Sequence, residues 1–376
     1  MQLHQQQTDQ ADALDLMVNM GPQHPSTHGV FRVVIWVDGE RIVRAEPHIG
    51  YLHRGSEKLC EGELYSQVIT LFDRLDYVGN LNCELAFVLA TEKLMGIEVP
   101  ERAEHIRVIL AELNRIASHL LFYGVYGLDM GAMTPMLYGF RERERIQELF
   151  ESVTGARLMH NYFRIGGVKE DLPADFPARM HRLMEQLRQG IAECDALLSQ
   201  NEMFLARTKG IGAISAEDAL DYGITGPALR ASGVPEDVRI SEPYSIYDRF
   251  DFGIPVGTYG DCWDRYYVRV EEMRQSVRII EQAMASMESG PVMASDRRIA
   301  RPRPPKGEVY VRTESPRGDF AVFLVSDGTD KPYRVKVRAP SFANLQAFQH
   351  MLRDAYVADA VVILGSIDII LGEVDR

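Results

Sequence analysis

The chain has 376 residues, enough for a sizeable buried core and about two to three domains at roughly 150 residues each. Its 46% apolar and 25% charged residues are ordinary globular composition, which excludes a disordered or collagen-like chain. With 41 basic against 54 acidic residues the net charge is −13, which argues against a protein that tracks nucleic-acid phosphates.

The opening MQLHQQQTDQADALD lacks the basic and apolar regions of a signal peptide, so 1–16 reads as a polar leader. Next, 17–55 reads as a β-hairpin region: VFRVVIWV (30–37) is rich in β-branched residues, Asp38-Gly39 signals a turn, and 41–45 continues extended. A helical core is expected over 56–296, with helices at 83–95, 101–122, 141–154, 176–199 and 264–289. The clearest is 101–122, where Ile106, Ile109, Leu110, Leu113, Ile116, Ala117, Leu120 and Leu121 recur at helical spacing. In RRIARPRPPK (297–306) three prolines block regular structure, giving a solvated linker or, alternatively, a basic arm laid on an acidic neighbour. Short strands follow at 308–313, 320–325 and 333–337, with a turn at Asp327-Gly328, then a helix at 342–356 and a segment returning to the core. The expected fold is α+β and mainly α, with small antiparallel sheets near the N-terminus and in the C-terminal third. Clean apolar stretches such as 360–364 fall far short of the roughly 20 residues that span a bilayer, so any membrane relationship is expected to be peripheral.

Cys60, Cys83, Cys194 and Cys262 form no Cys-x-x-Cys pair, which removes the usual thiolate signals for zinc, iron–sulfur and dithiol chemistry and suits a reducing compartment. His24 and His28 are spaced as in a zinc-binding helix, but Pro22 and Pro25 oppose a helix and the intervening Glu is missing. Four histidines, His24, His28, His48 and His53, fall within thirty residues. Each taken singly reads as a structural hydrogen-bonder, while their clustering in Gly/Pro-punctuated loops raises the prospect of a proton donor. HRGSEK (53–58) and FDRLDY (72–77) read as solvated helix faces or as polar networks beside a site, and composition favours the former. The RERER run, 141–145, reads as an exposed helix with ion pairs, from which Arg141 or Arg145 could reach a partner. Dinucleotide, P-loop and nucleophile-elbow motifs are missing from the sequence.

At GPQHPSTHGVFR, PHIGYLHRGSEKL, FDRLDY, LDMGAMTP, FRERE, GARLMHNYFRIGGV and the closing GSIDIILGEVDR, the chain resembles the 49-kDa-type (D-type) subunit family of proton-translocating NADH:quinone oxidoreductase, respiratory complex I. That family is in turn similar to the large subunit of nickel–iron hydrogenases, whose metal is held by two Cys-x-x-Cys pairs. Here RLDYVG stands at the first pair with Asp76 and Gly79 in place of cysteines, and 365–371 carries none, so the soft-metal site loses its thiolates. The resemblance implies a hydrogenase-like helical scaffold whose emptied cavity takes a quinone headgroup, with no metal and no cofactor bound by this chain alone.

The resemblance further implies that His28 and Tyr77 donate protons to the quinone oxygens and that Asp129 partners His28. A carboxylate favours protonated imidazole, and a phenol with a reference pKa of about 10 stays protonated until the oxygen gains electron density. Deprotonation of His28 would take the cation away from Asp129, a charge change able to drive rearrangement and so couple to proton pumping. Arg54 matches an arginine beside the terminal 4Fe-4S cluster of a neighbouring subunit, or else forms a salt bridge with Glu57; Arg74 and His119 are implied as support near that interface. FMN and iron–sulfur clusters are implied on partner subunits. The implied partners are the cluster-bearing subunit, the C-type and other peripheral-arm subunits, and membrane-arm subunits at the quinone entrance. The implied location is peripheral, on the cytoplasmic side of the cell inner membrane, with ubiquinone or menaquinone as substrate and no activity for the chain alone. Alternatives are the same role in a ferredoxin-dependent photosynthetic-type complex, a non-catalytic hydrogenase-fold scaffold, and a cryptic nickel–iron enzyme.

Overall fold

The computed structural model describes residues 16–23 and 29–376. Strands β1 (Leu16–Met20), β2 (Arg32–Asp38) and β3 (Arg41–His48) form an antiparallel sheet in that order. The expected hairpin is β2–β3; β1 adds an edge strand that straddles the expected boundary between leader and hairpin region, because exposed Leu16 and Met17 give it no alternating pattern.

Short helices α1 (Ser56–Cys60) and α2 (Tyr65–Phe72) lead into the helical core. Its principal members are α3 (Asn80–Met95), α4 (Glu101–Asp129) and α5 (Met133–Thr154). A minimal ribbon, β4 (Phe163–Arg164) and β5 (Gly167–Val168), precedes α6 (Phe176–Leu198). Then come α7 (Glu202–Thr208), α8 (Ala216–Asp221), α9 (Pro227–Ala231), α10 (Val238–Ser241) and the long α11 (Cys262–Ser286). Helix α4 has the length and composition of a membrane span, yet its most apolar window is 89% buried inside the protein, which marks it as the central core helix. Helix α3 is buried on nearly every side, Asn80, Asn82, Glu84 and Glu92 included, because it lies between α4 and the second sheet, so it presents almost no solvent stripe.

That sheet is β6 (Gly307–Ser315), β7 (Gly318–Ser326) and β8 (Arg334–Arg338), antiparallel in chain order. Between the β4–β5 region and β6, 297–306 is irregular after one 3-10 turn, and Arg301 and Arg303 lie against Asp330: a largely exposed linker with a basic contact to one acidic neighbour.

The single helix expected at 342–356 is corrected to two short ones, α12 (Pro340–Leu345) and α13 (Phe348–Met351). Tertiary bonds outweigh the local pattern here: Asn344 donates to the Arg317 carbonyl, Phe348 packs edge-on against Phe31, and the edge of β3 captures Asp354 and Ala355 through backbone bonds to Ile42. Helix α14 (Asp359–Ile367) and α15 (Leu371–Asp375) then return through the core.

The RERER run is likewise only partly an exposed face. Glu142 is fully buried and is gripped by Arg141 and Arg145, while Arg141 also reaches Glu193 on α6.

Candidate active site

Three stretches distant in sequence meet on the segment 365–372. A methyl group at Gly372 would lie 2.5 Å from the Leu75 carbonyl, so the loop carrying Tyr77 presses directly on this backbone. At Gly365 a methyl group would meet Asp129 Oδ2 and the Tyr126 ring, each at 3.0 Å, which seats the C-terminal end of α4 on α14 (Asp359–Ile367). Gly29, the residue after His28, packs on Leu371 Cδ1. His28 itself, and His24, lie outside the described residues.

The hub of this junction is Arg317. Ser315 pairs with Gly318 across a two-residue turn, Pro316-Arg317, and the β6–β7 hairpin thereby drives the guanidinium inward. It donates to Asp76 Oδ2 at 2.6 Å, to Ser118 Oγ at 3.1 Å, to the Asp368 carbonyl at 2.9 Å and to Asp368 Oδ1 at 3.3 Å. Asp76 Oδ1 accepts from the backbone N–H of Val78 and Gly79, so this carboxylate is satisfied although fully buried. Gly79 is required: a Cβ there would fall 2.5 Å from Asp76 Oδ2. The FDRLDY segment is thus a buried polar network, with Asp73, Leu75 and Asp76 inside and Arg74 exposed, correcting the solvated-face reading.

Tyr77 is half-buried beside this cluster. Burial pushes its phenol up, Asp76 and Asp368 add to that, and Arg317 opposes them; the net effect keeps the O–H protonated at neutral pH. Glu373, fully buried with one oxygen on Ser341 N–H, is pushed up to about 7 by burial and by Asp76, against Arg317. A carboxyl raised in the folded state stabilises most fully below its unfolded value of 4.5, and that contribution is lost as pH rises through about 7. Thermal melting of the purified chain is therefore expected to decline over this window. Glu373→Gln should flatten the decline in part, since Glu314 is also pushed up to about 7; an unaltered slope would contradict the assignment.

Of the second group of expected residues, Arg74 shares the Tyr77 loop while Arg54 and His119 lie on other elements. Arg54 is exposed and makes no ion pair among the described residues. Glu57, the salt-bridge alternative, is occupied by Arg334, Lys336 and Arg376. The Arg54 loop is held by 375–376: Asp375 accepts from Gly50 and Leu52 N–H at 2.8 and 2.6 Å, its carbonyl contacts His53 Nδ1, and the Arg376 carbonyl accepts from Gly55 and Ser56. Two charge-assisted bonds of about 1.5–3 kcal/mol each depend on one carboxylate. Asp375→Ala should accelerate amide exchange at Gly50 and Leu52 while leaving α4 protected; unchanged exchange at both would remove the latch.

Arg74 caps α2 through the Thr70 carbonyl. His119 lies wholly in the interior, with Nε2 2.9 Å from Glu272. Glu272 in turn holds Arg230, which bonds Glu314, beside a second cluster of Glu112, Arg115, Arg239 and Asp237. Burial alone would raise Glu112, but Arg115 and Arg239, with Ser276 and Tyr247, pull it down to about 2. Sequence reasoning does not reach Arg317, Asp368 or Glu373; the tight turn at Pro316-Arg317 is the only local signal for the first.

All four cysteines are buried, and burial pushes the Cys60 and Cys194 thiols up to about 12 and Cys83 well up. No group of three or more His, Cys, Asp or Glu is arranged to hold a metal among the described residues. The site is therefore a buried guanidinium–carboxylate cluster that bears protons beside a phenol.

A helical scaffold of this kind belongs with respiratory-chain dehydrogenase subunits: the family model described as "Respiratory-chain NADH dehydrogenase, 49 Kd subunit" matches residues 129–304 and 300–376. Proteins named as the D-type subunit of NADH-quinone oxidoreductase are similar over nearly the whole chain. That of Geotalea uraniireducens is 50% identical over 384 residues, covering 96% of this chain and 98% of the relative. Those of Desulforamulus reducens and Dehalococcoides mccartyi are 52% and 54% identical over 361 residues, with the same coverage. The chain belongs to this family and is a subunit of an NADH:quinone oxidoreductase.

Proposed function

We propose that Tyr77, His28 and Asp129 form the quinone headgroup site of this oxidoreductase, closed on one side by the segment 365–372. The supporting observation is the convergence of the Tyr77 loop, the end of α4 and Gly29 on that one segment. Quinone gains two electrons and two protons on becoming quinol. Tyr77 keeps its O–H until an oxygen develops negative charge, and His28 supplies the other proton, oriented by Asp129. Electrons come from NADH through the FMN and iron–sulfur clusters of other subunits, and the reaction is coupled to proton translocation. The names carried by the relatives support an NADH-linked rather than a ferredoxin-linked assembly.

Arg54 presents an exposed cation to the partner's terminal cluster, where positive charge favours the reduced state. Arg74 lies near it in role, and His119 supports the same region from the interior. The chain sits peripherally on the cytoplasmic side of the membrane, where a lipid-tailed substrate enters between it and membrane-arm subunits. A structure of the assembled complex with quinone bound tests the reading: the ring should lie between His28 and Tyr77, and a ring seated elsewhere with both side chains walled off would refute it.

A further inference from the structure

We propose that Asp73 and Glu84 hold one proton between their carboxyl groups and, through it, fix the loop that presents Tyr77. Both side chains are fully buried, Asp73 capping α2 and Glu84 in the second turn of α3. Glu84 Oε2 accepts from the backbone N–H of Tyr162 and Phe163, each at 3.0 Å. Asp73 Oδ1 accepts from Asn80 Nδ2 at 2.6 Å. The other two oxygens, Asp73 Oδ2 and Glu84 Oε1, are buried and receive no donor among the described residues, and the two carboxyls act on each other electrostatically. Ionised carboxylates are acceptors only, so two such oxygens left without a donor are both satisfied when one carboxyl carries a proton and donates it to the other.

Charge balance agrees. Arg74, in the loop after α2, lies 4.0 Å from Asp73 Oδ2; Arg164 on β4 faces both acids; and His160, in the loop before β4, faces Asp73. Burial holds His160 down at about 4, so it is neutral and adds no charge at pH 7. One shared proton leaves a single negative charge opposite two guanidinium groups, whereas full ionisation would press two anions together away from water. Burial, then Asp73, pushes Glu84 well above the usual carboxylate range.

The pair acts on the site through Asn80. The Asp73–Asn80 bond closes the loop 73–80, which contains Arg74, Asp76 and Tyr77. Asn80 Nδ2 is committed to Asp73, so its Oδ1 accepts from His160 Nδ1 at 3.1 Å and from Asn114 Nδ2 at 3.4 Å. Loss of the shared proton sets Asp73 and Glu84 apart and pulls on the hinge of the Tyr77 loop. Asp73 and Glu84 are accordingly positioning residues, and their effect on turnover rests on the quinone reading of Tyr77.

Two measurements on the purified, assembled complex test this. The infrared difference between wild type and Glu84→Gln at pH 7 should show loss of a protonated-carboxyl C=O band; no such band in wild type overturns the shared proton. For quinone reduction, Glu84→Ala should lower kcat more than it changes KM, by about 10²-fold if the phenol is displaced by about 1 Å. Glu84→Gln, whose amide can donate to Asp73 as the shared proton would, should recover most of that loss and abolish the alkaline limb of the wild-type pH profile. Equal behaviour of the Ala and Gln variants overturns the positioning role. If Glu84→Ala does not assemble, the Gln profile decides alone, and an alkaline limb that persists there overturns it. Should Tyr77→Phe leave turnover intact while the infrared band is present, the quinone reading fails and the proton pair stands.

Discussion

Replacing Tyr77 by Phe in the assembled complex should cut quinone reduction by about 10²–10⁴-fold, the usual worth of a positioned general acid, while the complex remains intact. The ring keeps its place and only the O–H is lost, so packing against the Asp76–Arg317 cluster is preserved. The phenol's pKa is raised by burial, and the wild-type rate should therefore show no loss from tyrosine ionisation below about pH 10. Electron transfer from NADH to an artificial acceptor upstream of quinone should be unaffected, which separates loss of the proton donor from loss of the complex. Normal quinone turnover in the Phe variant would leave a scaffold role for this chain.

The second large effect is on stability. Arg317→Met removes a cation that is 1% exposed, strands Asp76, which is 0% exposed, and leaves Asp368, 6% exposed, with Arg269 alone at 3.9 Å. Breaking a buried pair in this one-sided way costs about 3–5 kcal/mol, because the remaining charges have no water to turn to. Denaturant unfolding of the purified chain should register that loss, and the yield of assembled complex should fall with it. Adding Asp76→Asn to Arg317→Met should recover part of the stability, since it removes one stranded charge. Arg317→Lys should not substitute, because a single ammonium cannot span the two carboxylates, Ser118 and the Asp368 carbonyl together. An Arg317→Met chain as stable as wild type would mean that these carboxylates are protonated, and the electrostatic account of Tyr77 would need revision.

The long helices are legible because most bury a stripe at helical spacing, α4 most clearly since its pattern extends over several turns, whereas α3 is buried nearly all round. The 340–356 region is not legible, because its direction is dictated by partners far along the chain: Asn344 by Arg317, and Ala355 by the edge of β3. The same holds for the site. Tyr77 and Asp129 were reached through family resemblance, whereas Arg317 was invisible locally. It sits in a short turn whose chemistry resembles any exposed Pro-Arg-Gly, and only the hairpin's insertion between Asp76 and Asp368 buries it. The solvated reading of FDRLDY failed for the same reason, since a charge-rich segment looks exposed until its internal partners are known. Asp73 and Asp76 are paired by Asn80 and Arg317, both supplied from outside the motif.

The seating of three stretches on 365–372 bears on biogenesis. During synthesis the Tyr77 loop and the end of α4 leave the ribosome long before the backbone they rest on exists. Until 365–372 has emerged, Arg317 lacks Asp368, and neither the Tyr77 loop nor the end of α4 has the backbone on which it rests. Contacts of such long sequence separation are slow to close, and the unfinished chain exposes apolar surface while it waits. A nascent form of this protein is therefore a natural client for chaperones.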